Sequence, residues 1–398
     1  LQGHLDRSLV TPLGPHIGPL GVVSMFNASR LVLARKRRRM TLAKLSKASN
    51  ISVRSLTAFE NGHKVPSKDT LEALANALEL PVSFFEGPDL AEIPVGEASF
   101  RALSKMSALD RDAALSAGAF AIALAEWIEE RFDLPLPDVP TFPHLNPEDA
   151  AELLRARWGL GEAPIPNMIH LLEAHGVRVF SLAADCVSVD AFSLRHRGKQ
   201  PIIFLNTSKS AERSRFDAAH ELGHLVLHSE YRIPHGPEAE REAQQFAAAF
   251  LMPRSGLLAQ RLYNPSIPQI LKAKQKWKVA AIALTYRLHD IGLMSDWVYR
   301  TTAKRLSQMG YRSSEPGGIP RETSQLLTKV LAVLRENGIS AAQIAKSVNL
   351  TLDELNKHIF GLAPIALEGG RETTSHARPK LQLIHDNDRH LGRGREAP

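Results

Sequence analysis

The residues best suited to chemistry are two histidines and a glutamate in an H-E-x-x-H sequence at 220–224. Residues four apart on a helix project from one face, so the two imidazoles can bind one zinc ion. Glu221 can act as the general base that takes a proton from an attacking water. The apolar residues of Arg215–His228 recur at helical spacing, which predicts the helix that this arrangement requires. The motif therefore predicts His220 and His224 as zinc ligands and Glu221 as the catalytic base.

Three neighbouring residues refine this prediction. His228 lies about 12 Å from His220 along a continuous helix, too far to share one ion, so we expect a supporting or structural role. Gly223 costs about 1 kcal/mol relative to alanine within a helix. We expect that the metal site needs the clearance that this glycine gives. Arg213 is expected to form a salt bridge or to face solvent, with substrate contact as the alternative.

The third ligand is predicted on a second helix, which begins near His235 and has an apolar stripe of alanines and phenylalanines. Glu242 lies on that stripe, and a carboxylate facing a core needs a partner such as zinc. Glu238, one turn earlier, is the alternative, and Glu240 is expected to point elsewhere. Two His and one Glu form a catalytic zinc set with an open fourth position. A structural zinc site usually has four Cys or His ligands, and the chain has one cysteine, Cys186.

The elements around this motif predict a mainly helical domain with a small sheet. Three runs rich in β-branched and aromatic residues, at 177–182, 190–194 and 201–206, are bounded by polar breaks and predict strands. An edge strand close to the zinc helix could bind an extended peptide by adding it to the sheet. The predicted fold class of the whole chain is α+β.

The positive charge of the chain is concentrated in one segment. The 398 residues have a net charge of +7, and residues 27–85 alone contain 11 Lys and Arg against four acidic residues, also +7. A concentrated basic segment indicates a polyanionic partner. No run approaches the ~18 apolar residues of a membrane span. One cysteine excludes an internal disulfide framework, so we expect a cytoplasmic protein with no membrane partner.

The basic segment also has the start and stop signals of four short helices. Thr41 and Ser52 are typical N-cap residues, Asn50 suits a left-handed turn, and Gly62 can end the third helix. Two helices joined by a short turn predict a helix-turn-helix whose third helix enters the major groove of double-stranded DNA. The predicted base contacts are Ser52, Val53, Arg54, Thr57 and Ala58, and the predicted phosphate contacts are Lys44, Lys64 and the run Arg35–Arg39. A helix-turn-helix used only for protein contacts is the alternative, which the charge disfavours.

The rest of the chain divides into further units by composition. A helix over Asp110–Phe132 lies between a Pro/Gly-containing stretch and a proline-rich break, which predicts a spacer. The module near the C-terminus resembles a second helix-turn-helix but has no net charge, so we expect packing or contacts in a homodimer. The predicted units are a disordered or mis-assigned leader (1–26, with the true start near Met25), the helix-turn-helix (27–85), a linker with a helix (86–141), the zinc domain (142–312), the helical module (313–365) and a disordered tail (366–398).

The basic segment resembles the XRE (lambda-repressor-like) family of helix-turn-helix domains. The resemblance rests on the sequence from Met40 to Phe85, including "FENG" at 59–62 and its spacing to Pro66. Leu42 stands where many members have a glutamine that braces the recognition helix. For this reason, the family's base specificity is not carried over.

The central domain resembles the ImmA/IrrE family of metallopeptidases over residues 145–300. The resemblance rests on motifs in family order, among them "ERSRFDAAHELGHLVLH" and "EREAQQFAAAFLMP". Gln244 stands where many relatives have asparagine. The resemblance implies the roles given above for the H-E-x-x-H residues and for Glu242. It also implies an endopeptidase that cuts a transcriptional repressor or antitoxin.

Two functions follow from these predictions. The first is a DNA-binding regulator with a zinc endopeptidase, whose substrate is another protein of the repressor type or the protein's own linker. The second is a DNA-binding transcription factor whose zinc domain senses a signal without turnover. A non-catalytic domain does not require Glu221, so the presence of the complete motif favours the enzyme.

Overall fold

The structure is a computed structural model that describes residues 26–94, 107–182, 189–228 and 236–363. The predicted leader before Phe26, the cysteine at 186, the histidine at 235 and the predicted tail lie outside the described residues. No helix in the described part of the chain is long and apolar enough to cross a membrane.

The N-terminal unit is the predicted helix-turn-helix. Each of its four helices begins at a side chain that accepts a hydrogen bond from a backbone N–H of the first turn, which satisfies one of the free donors there. These caps are Asn27, Thr41, Ser52 and Ser67. Asn50 has a φ of 57° and makes the left-handed turn that the sequence predicts. The helices are α1 (Ala28–Arg37), α2 (Leu42–Ser49), α3 (Val53–Glu60) and α4 (Lys68–Leu78).

A long helix follows, α5 (Ala108–Glu129), in the segment that the sequence analysis assigns to a linker. Most of its side chains are buried, because it packs against α1 and, at Gly118, against Phe192 and Phe204 of the sheet. Phe120 of α5 contacts Phe84 of the helix-turn-helix unit at 5.2 Å between ring centroids. The prediction of a spacer is wrong for this helix, since an alanine-rich helix buried on nearly all sides belongs to a core. The domain boundaries themselves stay a prediction.

The central unit contains the predicted small sheet, and the α+β class is confirmed. Its strands have the order β1-β3-β2, with β1 and β3 parallel and β2 and β3 antiparallel. Phe192 and Phe204 lie opposite each other on β2 and β3, and their rings stack at 4.4 Å. The strands are β1 (Arg178–Ser181), β2 (Ala191–His196) and β3 (Gln200–Leu205). The helices are α6 (Pro147–Arg157), α7 (Met168–Ala174), α8 (Ala211–Leu227), α9 (Pro237–Leu251), α10 (Arg254–Leu258), α11 (Ile267–Trp277), α12 (Ala281–Asp290) and α13 (Asp296–Gln308).

The C-terminal module has three helices, α14 (Gln325–Glu336), α15 (Ala341–Ser347) and α16 (Leu352–Ile359). Asn349, with a φ of 56°, separates α15 from α16, and Thr351 caps α16. These two residues repeat the roles of Asn50 and Ser52, so the module has the local geometry of a helix-turn-helix. Glu354 of α16 is buried against α1, which joins the module to the N-terminal unit.

Candidate metal centre and nucleic-acid interface

The H-E-x-x-H residues lie in the second half of α8, for which Ser210 is the N-cap and His228 the C-cap. The helix is buried because it packs on the sheet on one side and on α9 on the other. His220, Glu221 and His224 are all buried. Their placement on one continuous helix agrees with the sequence prediction.

The helices α8 and α9 pack closely at Gly223. A side-chain Cβ at this glycine would lie 3.0 Å from Cδ1 of Phe246 and 3.2 Å from the Cα of Ala243. Gly223 therefore allows the close packing of the two helices. The expectation that the clearance serves the metal site directly is wrong. The close contact brings the first turn of α9 beside the two histidines.

Three side chains converge beside this helix contact. The Nε2 atoms of His220 and His224 are 3.1 Å apart, and the carboxylate oxygens of Glu240 lie 3.3 Å and 3.5 Å from them. One ligand atom from each of the three residues lies within 4.8 Å of the others. A tetrahedral zinc ion with bonds of about 2.1 Å requires ligand atoms about 3.4 Å apart. The two imidazoles and the carboxylate therefore fit zinc both in chemistry and in spacing.

The electrostatics of Glu240 match this arrangement. Burial alone would raise the pKa of its carboxyl group, but hydrogen bonds to His220 and His224 outweigh burial and lower the pKa to about 2. Glu240 is thus a carboxylate at neutral pH, the form that a metal ligand requires.

Glu242, predicted as the third ligand, and its alternative Glu238 are not in this converging group. Glu242 contacts His228 instead, with 3.0 Å between Oε2 and Nε2, and Glu238 is exposed. Glu240 and Glu242 lie on opposite sides of the apolar stripe of α9. Ala239 and Ala243 belong to the stripe, and Glu240 follows the first while Glu242 precedes the second. The crossing of α8 and α9 decides which flank meets the histidines. That crossing cannot be read from the periodicity of one helix.

The base predicted in the motif has a partner on the sheet that the sequence analysis missed. The hydroxyl of Ser193, on the edge strand β2, donates a hydrogen bond to Oε2 of Glu221 at 2.8 Å. This contact orients one oxygen of the carboxylate. No sequence signal identifies Ser193, because the pairing depends on the packing of α8 on β2.

The ligand His224 also contacts a third histidine, His228, through its other ring nitrogen. Nδ1 of His224 lies 2.9 Å from Nδ1 of His228, and Nε2 of His228 contacts Glu242. Burial lowers the pKa of His228. His228 is outside the group of converging ligand atoms, in line with its expected supporting role.

Arg213 is exposed, and exposure to solvent was one of the two alternatives expected for this side chain.

Most of the residues predicted to contact DNA are exposed. Ser52, Val53, Arg54 and Thr57 are exposed at the start of α3, and Ala58 is half-buried. Lys44 and Lys64 are also exposed. Their exposure is compatible with the predicted contacts to DNA.

The basic run Arg35–Arg39 does not match the predicted role in phosphate binding. Arg35 forms an ion pair with Glu60, and Arg39 forms one with Asp110. Arg37 and Arg38 both contact Glu354 of the C-terminal module. Four of the five side chains therefore neutralise acidic residues of the same chain. These ion pairs could not be predicted from local sequence, because three of these four arginines have their acidic partners at least 71 positions away.

Comparison with known proteins agrees with the assignment of the N-terminal unit and of the central unit. Residues 31–85 match the family model described as helix-turn-helix, and residues 172–289 match the M78 peptidase model described as IrrE N-terminal-like domain. None of the curated proteins compared with the chain matches it. The chain therefore joins an XRE-type helix-turn-helix DNA-binding domain to a metallopeptidase-like domain of the ImmA/IrrE type.

Proposed function

We propose that the protein is a transcriptional regulator whose central domain is a zinc-dependent endopeptidase. The observation that carries the proposal is the convergence of His220, His224 and Glu240 beside the buried Glu221. Two imidazoles and one carboxylate leave a fourth position open on a tetrahedral ion, which is typical of catalytic zinc sites. The proposed substrate is a protein of the repressor or antitoxin type, or this chain itself.

The proposed roles follow from the chemistry of each side chain. His220, His224 and Glu240 would bind zinc, which supplies a Lewis acid for the scissile carbonyl and for the attacking water. Glu221 accepts the proton of that water and passes it to the leaving amine. Ser193 donates a hydrogen bond to one oxygen of Glu221 and orients its carboxylate for this proton transfer. The edge strand β2 can pair with an extended peptide.

The metal assignment is tested by the zinc content of purified protein. We expect one zinc per chain in the wild type and a loss of zinc in Glu240→Ala. Glu238→Ala is the matched control, because Glu238 lies in the same helical turn and is exposed. Full zinc content in Glu240→Ala would contradict the assignment of Glu240.

The reaction is tested with zinc-loaded, full-length protein and a library of internally quenched peptides. We expect the wild type to cleave members of the library and Glu221→Gln to retain zinc without cleavage. Equal cleavage by the two proteins would refute the role of Glu221. Zinc-loaded wild type that cleaves no peptide and leaves its own chain intact would favour the second function.

The second function is a DNA-binding regulator whose zinc domain acts as a sensor without turnover. The observation in its favour is that α16 contacts both strand β1 of the central unit and the arginines of α1. A change in the central unit can therefore reach the DNA-binding unit through packed elements. Under this function, Glu221→Gln would regulate its promoter in cells as the wild type does.

A further inference from the structure

We propose that His228 and Glu242 are positioning residues for the metal ligand His224. Glu242, His228 and His224, named here the histidine chain, are connected in that order by contacts of 3.0 Å and 2.9 Å. The inference rests on the proposed zinc site, because it concerns the orientation of one of its ligands.

The proton positions in the histidine chain follow from its two ends. An imidazole that binds a metal through Nε2 has its proton on Nδ1. His224 then donates from Nδ1 to Nδ1 of His228, which must be without a proton to accept. The proton of neutral His228 is consequently on Nε2, where it is donated to the carboxylate of Glu242. Each contact has one donor and one acceptor.

The opposite assignment fails at both ends of the histidine chain. If His228 donated from Nδ1, the proton of His224 would be on Nε2 and would block that atom as a ligand. The bare Nε2 of His228 would then lie 3.0 Å from an oxygen of Glu242, which brings two acceptors together. The acceptor-only carboxylate of Glu242 therefore selects the form of His224 that can bind metal.

The environment strengthens these contacts. The side chains of His224 and His228 are 8% and 7% exposed, so little water competes for their nitrogens. Helix α9 supplies both Glu240, beside the ligand nitrogens, and Glu242, at the far end of the histidine chain. By contrast, Nδ1 of His220 is buried without a hydrogen-bond partner among the described residues. The structure thus gives a hydrogen-bonded support to one of the two histidine ligands.

The first test is the zinc affinity of the full-length protein, measured by competition with a chromogenic chelator. We expect His228→Ala and Glu242→Ala each to weaken zinc binding about 10- to 100-fold, as the loss of a group that orients a ligand does. His196→Ala and Glu126→Ala are matched controls. This pair also has 3.0 Å between Nε2 and a carboxylate oxygen, but it joins β2 to α5. The control variants should bind zinc as the wild type does.

A double-mutant comparison separates positioning from direct ligation. If His228 acts through His224, His228→Ala should cause no further loss of zinc affinity in a His224→Ala background. An additional loss in that background would make His228 a ligand itself and overturn the proposal. Unchanged affinity in both His228→Ala and Glu242→Ala would also overturn it, while leaving the proposed function intact. A wild type that binds no zinc would refute both.

The second test reads the proton position directly and uses a variant that keeps the side-chain volume. In zinc-loaded protein labelled with ¹⁵N-histidine, long-range ¹H–¹⁵N NMR should show His228 with its proton on Nε2. In Glu242→Gln the amide can accept or donate, so we expect that this preference is lost. A His228 proton on Nδ1 in the wild type would contradict the inference, even if the alanine variants fail to fold.

Discussion

Arg37 and Glu354 form an ion pair between the first and the last helix of the described chain, with 2.5 Å between Nε and Oε1. Neither side chain has exposed surface, and Arg38 contacts the same carboxylate at 3.1 Å. Burial of a charge is costly unless it is paired. The contact therefore ties the DNA-binding unit to the C-terminal module more firmly than a surface ion pair would.

We expect Glu354→Ala to lower the free energy of unfolding by about 3–5 kcal/mol, because it leaves buried arginines without their counter-charge. Urea denaturation followed by circular dichroism measures this change. Glu79→Ala is the matched control, since Glu79 also lies near Arg38, at 3.6 Å, but is 75% exposed. The control should change stability by less than about 1 kcal/mol. Similar losses in the two variants would contradict the prediction.

The same carboxylate predicts a pH dependence of stability. Burial raises the pKa of Glu354, but the neighbouring charges of Arg37, His358, Arg38 and Lys357 outweigh burial and lower the pKa below its ordinary value. A lowered carboxyl pKa stabilises the fold above the unfolded pKa of about 4.3, and this stabilisation is lost as the pH falls through the folded pKa. The stability difference between wild type and Glu354→Gln should therefore shrink below about pH 4. A difference that stays constant down to pH 3 would exclude this linkage.

The contact of Ser193 with Glu221 predicts a defect confined to catalysis. We expect Ser193→Ala to lower kcat at least about tenfold, because a hydrogen bond to a charged group is worth about 1.5–3 kcal/mol. Its zinc content should equal that of the wild type. Ser116→Ala is the control, since Ser116 is equally buried but donates to a backbone oxygen of α5. Loss of zinc together with activity would show that Ser193 supports the metal site instead.

The ion pairs of the basic run predict which cations contribute to DNA binding. Lys44→Ala should reduce the slope of log affinity against log salt by about 1, because Lys44 is exposed on α2 and would release a phosphate counterion. Arg35→Ala should leave the slope unchanged and lower stability, because Arg35 donates two hydrogen bonds to Glu60. Fluorescence anisotropy with a selected duplex at several salt concentrations distinguishes the two variants. Equal slopes for both would contradict the assignment.

The part of the molecule that follows from local signals could be predicted from the sequence. The caps Thr41 and Ser52 and the left-handed Asn50 each act within one helical turn, and the structure places all three in the predicted roles. The runs rich in β-branched and aromatic residues predicted three strands, and the H-E-x-x-H spacing predicted that two imidazoles lie together. Both family resemblances were also confirmed. Each rests on contiguous sequence motifs, which can be recognised without knowledge of the tertiary packing.

The errors concern contacts between distant segments. Glu240 rather than Glu242 meets the histidines because of the angle at which α8 and α9 cross, and helical periodicity contains no information on that angle. The basic run was predicted to contact phosphates and α5 to be a spacer, because most of the residues that pack against them lie far along the chain. Ser193 was missed for the same reason. Tertiary packing determines each of these features.

The burial of α5 has a consequence for self-cleavage. Buried apolar side chains from Leu31 to Ala363 form one connected cluster, to which the helix-turn-helix and the metal-binding unit both contribute. A single cut between residues 94 and 107 would leave α1 packed on α5 and Arg37 paired with Glu354. We therefore expect the two fragments to elute together in native size-exclusion chromatography and to separate in denaturant. Release from an operator by autoproteolysis would need a step beyond the cut itself, such as removal of one fragment by a cellular protease.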